Sequence, residues 1–567
     1  MGRNVAIGIQ RFDTLIENHY FYIDKTDFIR EWWESGDAVT LITRPRRFGK
    51  TLNMSMTEQF FSLDYAERED LFQDLSIWKN GKYRRLQGTF PVISLSFANV
   101  KDDSYPKAYQ KICQLISDLY VRYSDLLESD VLKEADKTYF RSVGVGMAEP
   151  TASMALYKLS DYLHRYYGKN VIILLDEYDT PVQEAYVGGF WNELTNFMRN
   201  LFNSTFKTNP WLERALMTGI TRVSRESIFS DLNHLEVVTT TTEKYEECFG
   251  FTETEVFAAM AECGYENQAE VKRWYDGFVF GRKRDIYNPW SILNYLDKGK
   301  LAPYWANTSS NSLVGKLIRE GSKNIKVSFE QLLAGKSIRT TIDEQIVYDQ
   351  LNLSEKAVWS LLLASGYLKV LAHEDYDPEG ESLPEYELAL TNLEVRLMFR
   401  SMISQWFESG ESDYDDFVKA LLVGDVDAMN EYMNRIIPAT ISFFDTGTQP
   451  ARKSEPERFY HGLVLGMMVK LQDRYRITSN RESGFGRYDI MLEPCNAGDD
   501  AVMIEFKVFN SRKEKSLQDT VDHALAQIRE KHYDAVLLER GIPRERIRAY
   551  GFAFRGKQVL IGADHRE

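Results

Sequence analysis

The sequence predicts a multidomain α/β protein: a parallel sheet first, a helical middle with a winged-helix-like unit, and a smaller α/β module last. Three observations predict it. Buried-strand patterns alternate with helical stretches over roughly the first 300 residues, the next 140 are mainly helical, and two strands carrying carboxylates reappear near the end. At 567 residues the chain exceeds what one hydrophobic core supports. The expected divisions are 1–299, 300–440 and 441–567.

In the first division, AVTLIT (38–43), TFPVISLSF (89–97), NVIILLDEY (170–178) and RALMTGI (214–220) read as buried strands separated by helices, the order of a parallel sheet. Within 345–407, EKAVWSLLLASGYLKVLAH, an acidic turn DYDPEGESLPE, YELALTN and VRLMFRSMISQWF give helix, strand, loop, strand and helix. That order predicts the winged-helix-like unit, and its acidic wing favours packing or relay over gripping DNA. A helical acidic connector over 411–437 leads to a module read as helix 457–472, strand 486–492, strand 501–507, helix 517–531 and strand 534–538.

Composition narrows the classes. Hydrophobic residues at 44% and charged residues at 27% are globular values, and no apolar run approaches the roughly 20 residues that cross a bilayer. The opening MGRNVAIGIQRFD becomes charged early and has Ala6 where a myristoylation signal wants Ser or Thr, so a cytoplasmic protein without membrane contact is expected. Cys113, Cys248, Cys263 and Cys495 form no CxxC pair, which argues against a zinc site or a disulfide framework. A net charge of −15 repels polyanions overall, leaving nucleic-acid binding to local surfaces.

Chemistry concentrates in two places. LITRPRRFGKTLNMSM sets Gly49, Lys50 and Thr51 between a strand and a helix start, where free N–H groups favour an anion. There Lys50 can reach β- and γ-phosphates and the Thr51 hydroxyl can ligate Mg²⁺. Arg44 replaces the first glycine of the phosphate-loop pattern and Pro45 removes a backbone donor, so the motif alone is degenerate. The strand VIILL ends in Asp176, expected on Mg²⁺, and Glu177, expected to polarise the attacking water. Thr218 is a candidate polar sensor, and Arg222 or Arg225 a candidate γ-phosphate contact or a structural arginine. Asp179 is read as fixing the turn before Pro181.

Near the end, GRYDIMLEP and AVMIEFKVF place Asp489 on one strand and Glu505 and Lys507 on the next. Positions 505 and 507 share a face because side chains alternate along a strand. Asp489 and Glu505 are the expected divalent-metal ligands, with Mg²⁺ or Mn²⁺ lowering the pKa of water, and Lys507 assists hydrolysis. Glu482 is a further acidic ligand or orients Arg487. His461, beside Tyr460, reads as a structural histidine or a phosphate contact.

FYIDKTDFI (21–29), RPRRFGKT (44–51), LLDEYDTP (174–181), TGITRVS to DLNHL (218–235), FGFTETEV (249–256) and YNPWSILNYL (287–296) resemble a family of AAA-ATPase-like proteins. In that family a P-loop NTPase domain precedes a restriction-endonuclease-like PD-(D/E)xK domain, to which GRYD and IEFK are similar. The resemblance implies that Arg44 is a family trait and that Pro45, Arg46, Arg47 and Phe48 belong to the nucleotide loop, with Arg46 and Arg47 adding charge near the phosphates. It also implies that Gln527 contacts the second active site. Tyr22, Asp24 and Lys25 are candidates to approach the nucleotide, although a buried tyrosine with a solvated ion pair is the favoured reading. The expected function is ATP binding and hydrolysis coupled to a Mg²⁺-dependent phosphodiesterase. DNA is the expected substrate, on analogy alone, and a homo-oligomer is one assembly it could adopt. The alternative is an ATP-driven switch or scaffold with an idle nuclease-like domain.

Overall fold

The structure is a computed structural model. It describes residues 4–221, 228–229, 232–306, 314–315, 317–318, 323–333, 335–342, 354–374, 384–405, 411–444, 464–465, 467–468, 471, 474–479, 482–483, 486–496, 498–555 and 558–564. The chain divides into two compact units, 1–320 with 334–396, and 321–333 with 397–567. The stretch expected as one connector, 300–440, is thus shared between them.

The first unit is built on a five-stranded parallel sheet of β1 (Val39–Thr43), β2 (Val92–Ser96), β3 (Val171–Asp176), β4 (Leu212–Gly219) and β5 (Leu235–Val238), in the order β2-β3-β4-β1-β5. Every residue of β1 and β3 is buried, as expected of strands covered on both faces by crossover helices. Residues 44–49 connect β1 to the helix Lys50–Phe61. Ile42 pairs with Thr218 and Thr43 with Gly219, while Leu175 pairs with Met217, so the carboxyl ends of β1, β3 and β4 lie at one level. Gly219 has no room for a side chain, because a Cβ there would meet the Tyr178 ring at 2.7 Å and the Asp179 carboxylate at 2.8 Å.

Beyond this sheet, β6 (Phe251–Thr252), β7 (Phe278–Phe280) and β8 (Lys283–Tyr287) form a small antiparallel sheet. It leads to the helix Pro289–Lys298, over a core of Phe21, Val256, Tyr275, Tyr287, Ile292 and Tyr295. The winged-helix-like arrangement consists of β9 (Ile338–Thr341), the helix Glu355–Ala364, β10 (Leu368–Glu374), β11 (Glu385–Leu390) and the helix Leu393–Gln405, with antiparallel order β10-β11-β9. Most of the acidic wing, 375–383, lies outside the described residues.

In the second unit, β12 (Tyr475–Ser479), β13 (Glu482–Ser483), β14 (Gly486–Arg487), β15 (Ile490–Pro494), β16 (Ala501–Val508), β17 (Ile547–Arg555) and β18 (Gln558–Ala563) follow in sequence. The main sheet has the order β12-β15-β16-β17-β18, with only β16 and β17 parallel. Alternation along β16 sends Val502, Ile504 and Phe506 into a core shared with the helices Glu411–Val423 and Val426–Phe444, and Ala501 and Met503 into a second core beneath the helix Leu517–Glu530.

Two expected strands differ from the sequence reading: the one over 486–492 is divided between β14, which pairs with β13, and β15, which joins the main sheet. Residues expected as a strand over 534–538 form the short helix Ala535–Glu539, and the strand beside β16 is β17. The run AVLL is too short for periodicity to decide between the two states. It buries Leu537 while leaving Leu538 36% exposed, so it is a one-sided cover, whereas all but two residues of the longer IRAYGFAFR segment are buried in the sheet. Four expected strands of the first sheet are present, and β5 joins them from a stretch with no strand assignment. The helix expected over 457–472 lies largely outside the described residues, as do Tyr460 and His461.

Candidate functional site

The first site forms where β1, β3 and β4 end. The loop after β1 reaches its helix through two left-handed residues, Arg47 at φ 65° and Gly49 at φ 80°, which turn the chain so that Lys50 opens the helix. Lys50 is buried, and its ammonium donates to the carbonyls of Arg44 at 2.9 Å and Pro45 at 2.8 Å. Burial lowers its pKa, while the charges of Glu177, Asp179 and Asp176 oppose the fall.

Opposite Lys50, the Thr51 hydroxyl donates to Asp176 Oδ2 at 2.7 Å, and the Thr218 hydroxyl donates to Asp176 Oδ1. Desolvation raises the Asp176 pKa more than these hydrogen bonds lower it. Glu177 follows at φ 51°, in the left-handed region that few side chains adopt. Its backbone N–H donates to Thr218 Oγ1 at 3.4 Å, and its Oε2 accepts from Thr180 at 3.2 Å. Asp179 takes a larger part than the turn expected of it. Its Oδ2 accepts from the N–H groups of Ile220 at 2.8 Å and Thr221 at 2.9 Å and from the Thr221 hydroxyl at 3.1 Å, tying the end of β4 to β3.

The loop arginines separate into different roles. Arg44 is fully buried and turns away from Lys50: it donates to the carbonyls of Thr43, Thr239 and Lys244, and its guanidinium lies 4.5 Å from the Phe280 ring centroid. Burial pushes its pKa down to about 10, so it remains a cation that braces the loop through its side chain. Arg46 is exposed and lies 3.5 Å from Gln183 Oε1, and Arg47 covers the Trp290 ring. Phe48 is buried edge-on against Phe278 and Phe280.

Arg222 and Arg225 lie outside the described residues. Lys25 does not approach this site, nor is its ion pair solvated: the side chain is buried, pairs with Glu255 at 2.7 Å and donates to the Glu247 carbonyl. Asp24 accepts from Thr26 and Ser76, and the Tyr22 hydroxyl accepts from the Lys25 N–H, so this trio serves structure.

The second site lies on β15 and β16. The pairing of Ile490 with Ile504 brings Asp489 and Glu505 to adjoining positions on neighbouring strands. Asp489 Oδ2 accepts the Phe506 N–H at 2.8 Å, which holds the carboxylate beside β16. Glu505 is buried, and Lys507 Nζ lies 3.9 Å from its Oε1. Gln527 joins them: its amide N–H donates to Glu505 Oε1 and to the Tyr533 hydroxyl, and its Oε1 accepts from Lys507 at 2.6 Å.

This reach depends on Gly551, paired with Glu505 on β17, where a Cβ would meet the Val521 carbonyl at 2.8 Å and Ala524 Cβ at 3.1 Å. A larger residue there would push the helix carrying Gln527 off the sheet. Tyr533, absent from the sequence reading, faces both carboxylates; burial first, then the charges of Glu505 and Asp489, raise its pKa. Its sequence signal was weak, a lone tyrosine after a helix. Glu482 sits on β13, but its side chain is outside the described residues.

Both sites offer oxygen donors suited to a hard divalent cation, a hydroxyl beside a carboxylate at Thr51 and Asp176, and two adjoining carboxylates at Asp489 and Glu505. Another carboxylate group, Glu253, Asp276 and Asp285, shares one lysine. The Lys272 ammonium bonds to Glu253 and lies 3.2 Å from Asp285 and 3.6 Å from Asp276. The four cysteines are free thiols, with Cys113 and Cys248 buried.

A strand-loop-helix phosphate cradle on a parallel sheet, followed by a mixed sheet bearing Asp, Glu and Lys at adjoining positions, defines an ATPase-like region and a nuclease-like region in one chain. Residues 6–229 match the family described as "Predicted AAA-ATPase", and residues 455–564 match the "PD-(D/E)XK nuclease superfamily". The chain therefore carries an AAA-ATPase-like domain and a PD-(D/E)XK nuclease-superfamily domain. It is also 25% identical, over 397 residues covering 70% of this chain and 68% of the relative, to an uncharacterized protein in the vnfD 5′ region of Azotobacter chroococcum mcd 1. No helix among the described residues is long and apolar enough to cross a membrane.

Proposed function

We propose that the chain binds and hydrolyses ATP at the first site and cleaves DNA phosphodiester bonds at the second. The observation that carries the first half is the convergence of Lys50, Thr51, Asp176 and Thr218 at the ends of three adjacent parallel strands. Lys50 would leave the Arg44 and Pro45 carbonyls to meet the phosphates. Thr51 and Asp176 would hold Mg²⁺, and Glu177 would orient the attacking water. At the second site Asp489 and Glu505 would hold Mg²⁺ or Mn²⁺, which supplies charge neutralisation and an acidified water. Lys507, aligned by Gln527, would stabilise the charge developing on the phosphate.

Nucleotide occupancy governing cleavage is the simplest reason to join the two domains. Phosphate release from ATP, compared among wild type, Lys50→Ala and Glu177→Gln, tests the first half; three equal rates would remove the ATPase assignment. Nicking of supercoiled plasmid with Mg²⁺ or Mn²⁺, compared with Asp489→Ala and Lys507→Ala, tests the second. Equal behaviour of all three proteins there leaves the switch with an idle nuclease-like domain as the reading that stands.

A further inference from the structure

The phosphate loop is held from outside by groups that no part of the ATP chemistry uses. The Arg46 carbonyl accepts hydrogen bonds from Trp305 Nε1 at 2.9 Å and from Asn288 Nδ2 at 3.3 Å. Arg47 lies 4.5 Å from the Trp290 ring centroid, and Phe48 rests on Phe278 and Phe280. Pro45 abuts Gly366, where a Cβ would meet Pro45 Cγ at 2.8 Å. Each residue from Pro45 to Phe48 thus touches the 278–305 segment or the turn before β10.

Trp305 is itself fixed from the three-stranded module. Its backbone N–H donates to Glu394 Oε1 at 2.6 Å, and the Ser291 hydroxyl donates to Glu394 Oε2 at 2.8 Å. Glu394 is fully buried at the start of the helix that follows β11. The Trp305 ring lies between Phe278, at 5.6 Å, and Tyr367, at 5.5 Å, which immediately precedes β10. Trp305 therefore receives support from residues before β10 and after β11.

The geometry has a direct consequence for phosphate binding. In a trans peptide the carbonyl and the following N–H lie in one plane and point in opposite directions. Holding the Arg46 carbonyl outward therefore fixes where the Arg47 N–H points. The loop also holds Arg47, a residue other than glycine, in the left-handed region, a shape that persists only where its surroundings enforce it.

We propose that Trp305 and Asn288 are positioning residues for the phosphate loop, anchored through Glu394, and that they couple nucleotide occupancy to the β9–β11 module. This rests on the reading of the loop as an ATP site. The loop grips phosphates in the ground state and the transition state alike, so loosening it weakens both equally.

Steady-state kinetics of the full chain with Mg-ATP test the proposal in Trp305→Phe, which keeps an aromatic ring and removes the N–H. Loss of one neutral hydrogen bond should raise KM about 2- to 10-fold and leave kcat within about twofold. A folded Trp305→Phe protein with the wild-type KM overturns the proposal. Lys50→Ala separates the two layers of argument. If it matches wild type, the ATP site itself is refuted and the positioning role falls with it; if it loses turnover while Trp305→Phe keeps its KM, only the positioning role falls. Hydrogen exchange on the wild-type chain covers the case in which Trp305→Phe does not fold. Mg-ATP should slow exchange at 303–306 together with 44–51, and protection of 44–51 alone overturns the coupling.

Discussion

Glu394 has no exposed surface, and its carboxyl accepts from the Trp305 and Ala306 N–H groups and from Ser291. Burial outweighs these hydrogen bonds and raises its pKa from 4.5 to about 7. The fold therefore favours the protonated acid. Its contribution to stability is full below pH 4.5, where the unfolded chain is protonated too, and is lost as pH rises through about 7. At about 1.4 kcal/mol per pH unit the whole effect amounts to about 3 kcal/mol, of which about 2 to 3 kcal/mol falls between pH 5 and pH 8.

Glu394→Gln keeps the shape and removes the titration. Its stability relative to wild type should therefore rise across that interval by the same amount. Every tryptophan of the chain lies at or before residue 406, so urea unfolding followed by tryptophan fluorescence reports mainly the first unit. A stability difference between the two proteins that stays constant from pH 5 to pH 8 would refute the account of Glu394 as a carboxyl held protonated by burial.

Three further outcomes follow from particular contacts. Gly277→Ala should destabilise the first unit by about 3 kcal/mol or more in urea unfolding, because Gly277 sits at φ 118° and a Cβ would meet the Thr391 carbonyl at 2.2 Å. Asp179→Ala should cost about 2 to 3 kcal/mol by thermal or urea unfolding, since the N–H groups of Ile220 and Thr221 lose their shared acceptor. Gln527→Ala should raise the Mn²⁺ concentration that half-saturates plasmid nicking by about 10-fold or more, because Lys507 and Glu505 both lose the amide that aligns them. Unchanged metal dependence would show that Gln527 has no part in ordering that site.

Much of the architecture was legible along the chain because its signals are local. The run VIILLD can satisfy both faces of a buried strand, and a Gly-Lys-Thr after such a strand announces a helix start suited to phosphate. Alternation on β16 likewise separated Phe506, in one core, from Glu505 and Lys507, which share the opposite face. Local pattern failed at AVLL, where four apolar residues suit a strand or a short covering helix equally well.

Tertiary structure decided the rest through contacts between residues distant in sequence. Arg44 reads as part of a phosphate cradle until the fold surrounds its guanidinium with the carbonyls of Thr43, Thr239 and Lys244 and the Phe280 ring. Asp179 acquires its role from the end of β4, about 40 residues away, and Trp305 from a carbonyl more than 250 residues before it. The sequence by itself determined the four strands of the parallel sheet with the strongest apolar runs and the strand that carries Glu505 and Lys507, because alternation and burial act over a few residues. Which side chains brace the loop and which gather beside Lys50 depended on folding, because hydrogen-bond partners are chosen in space.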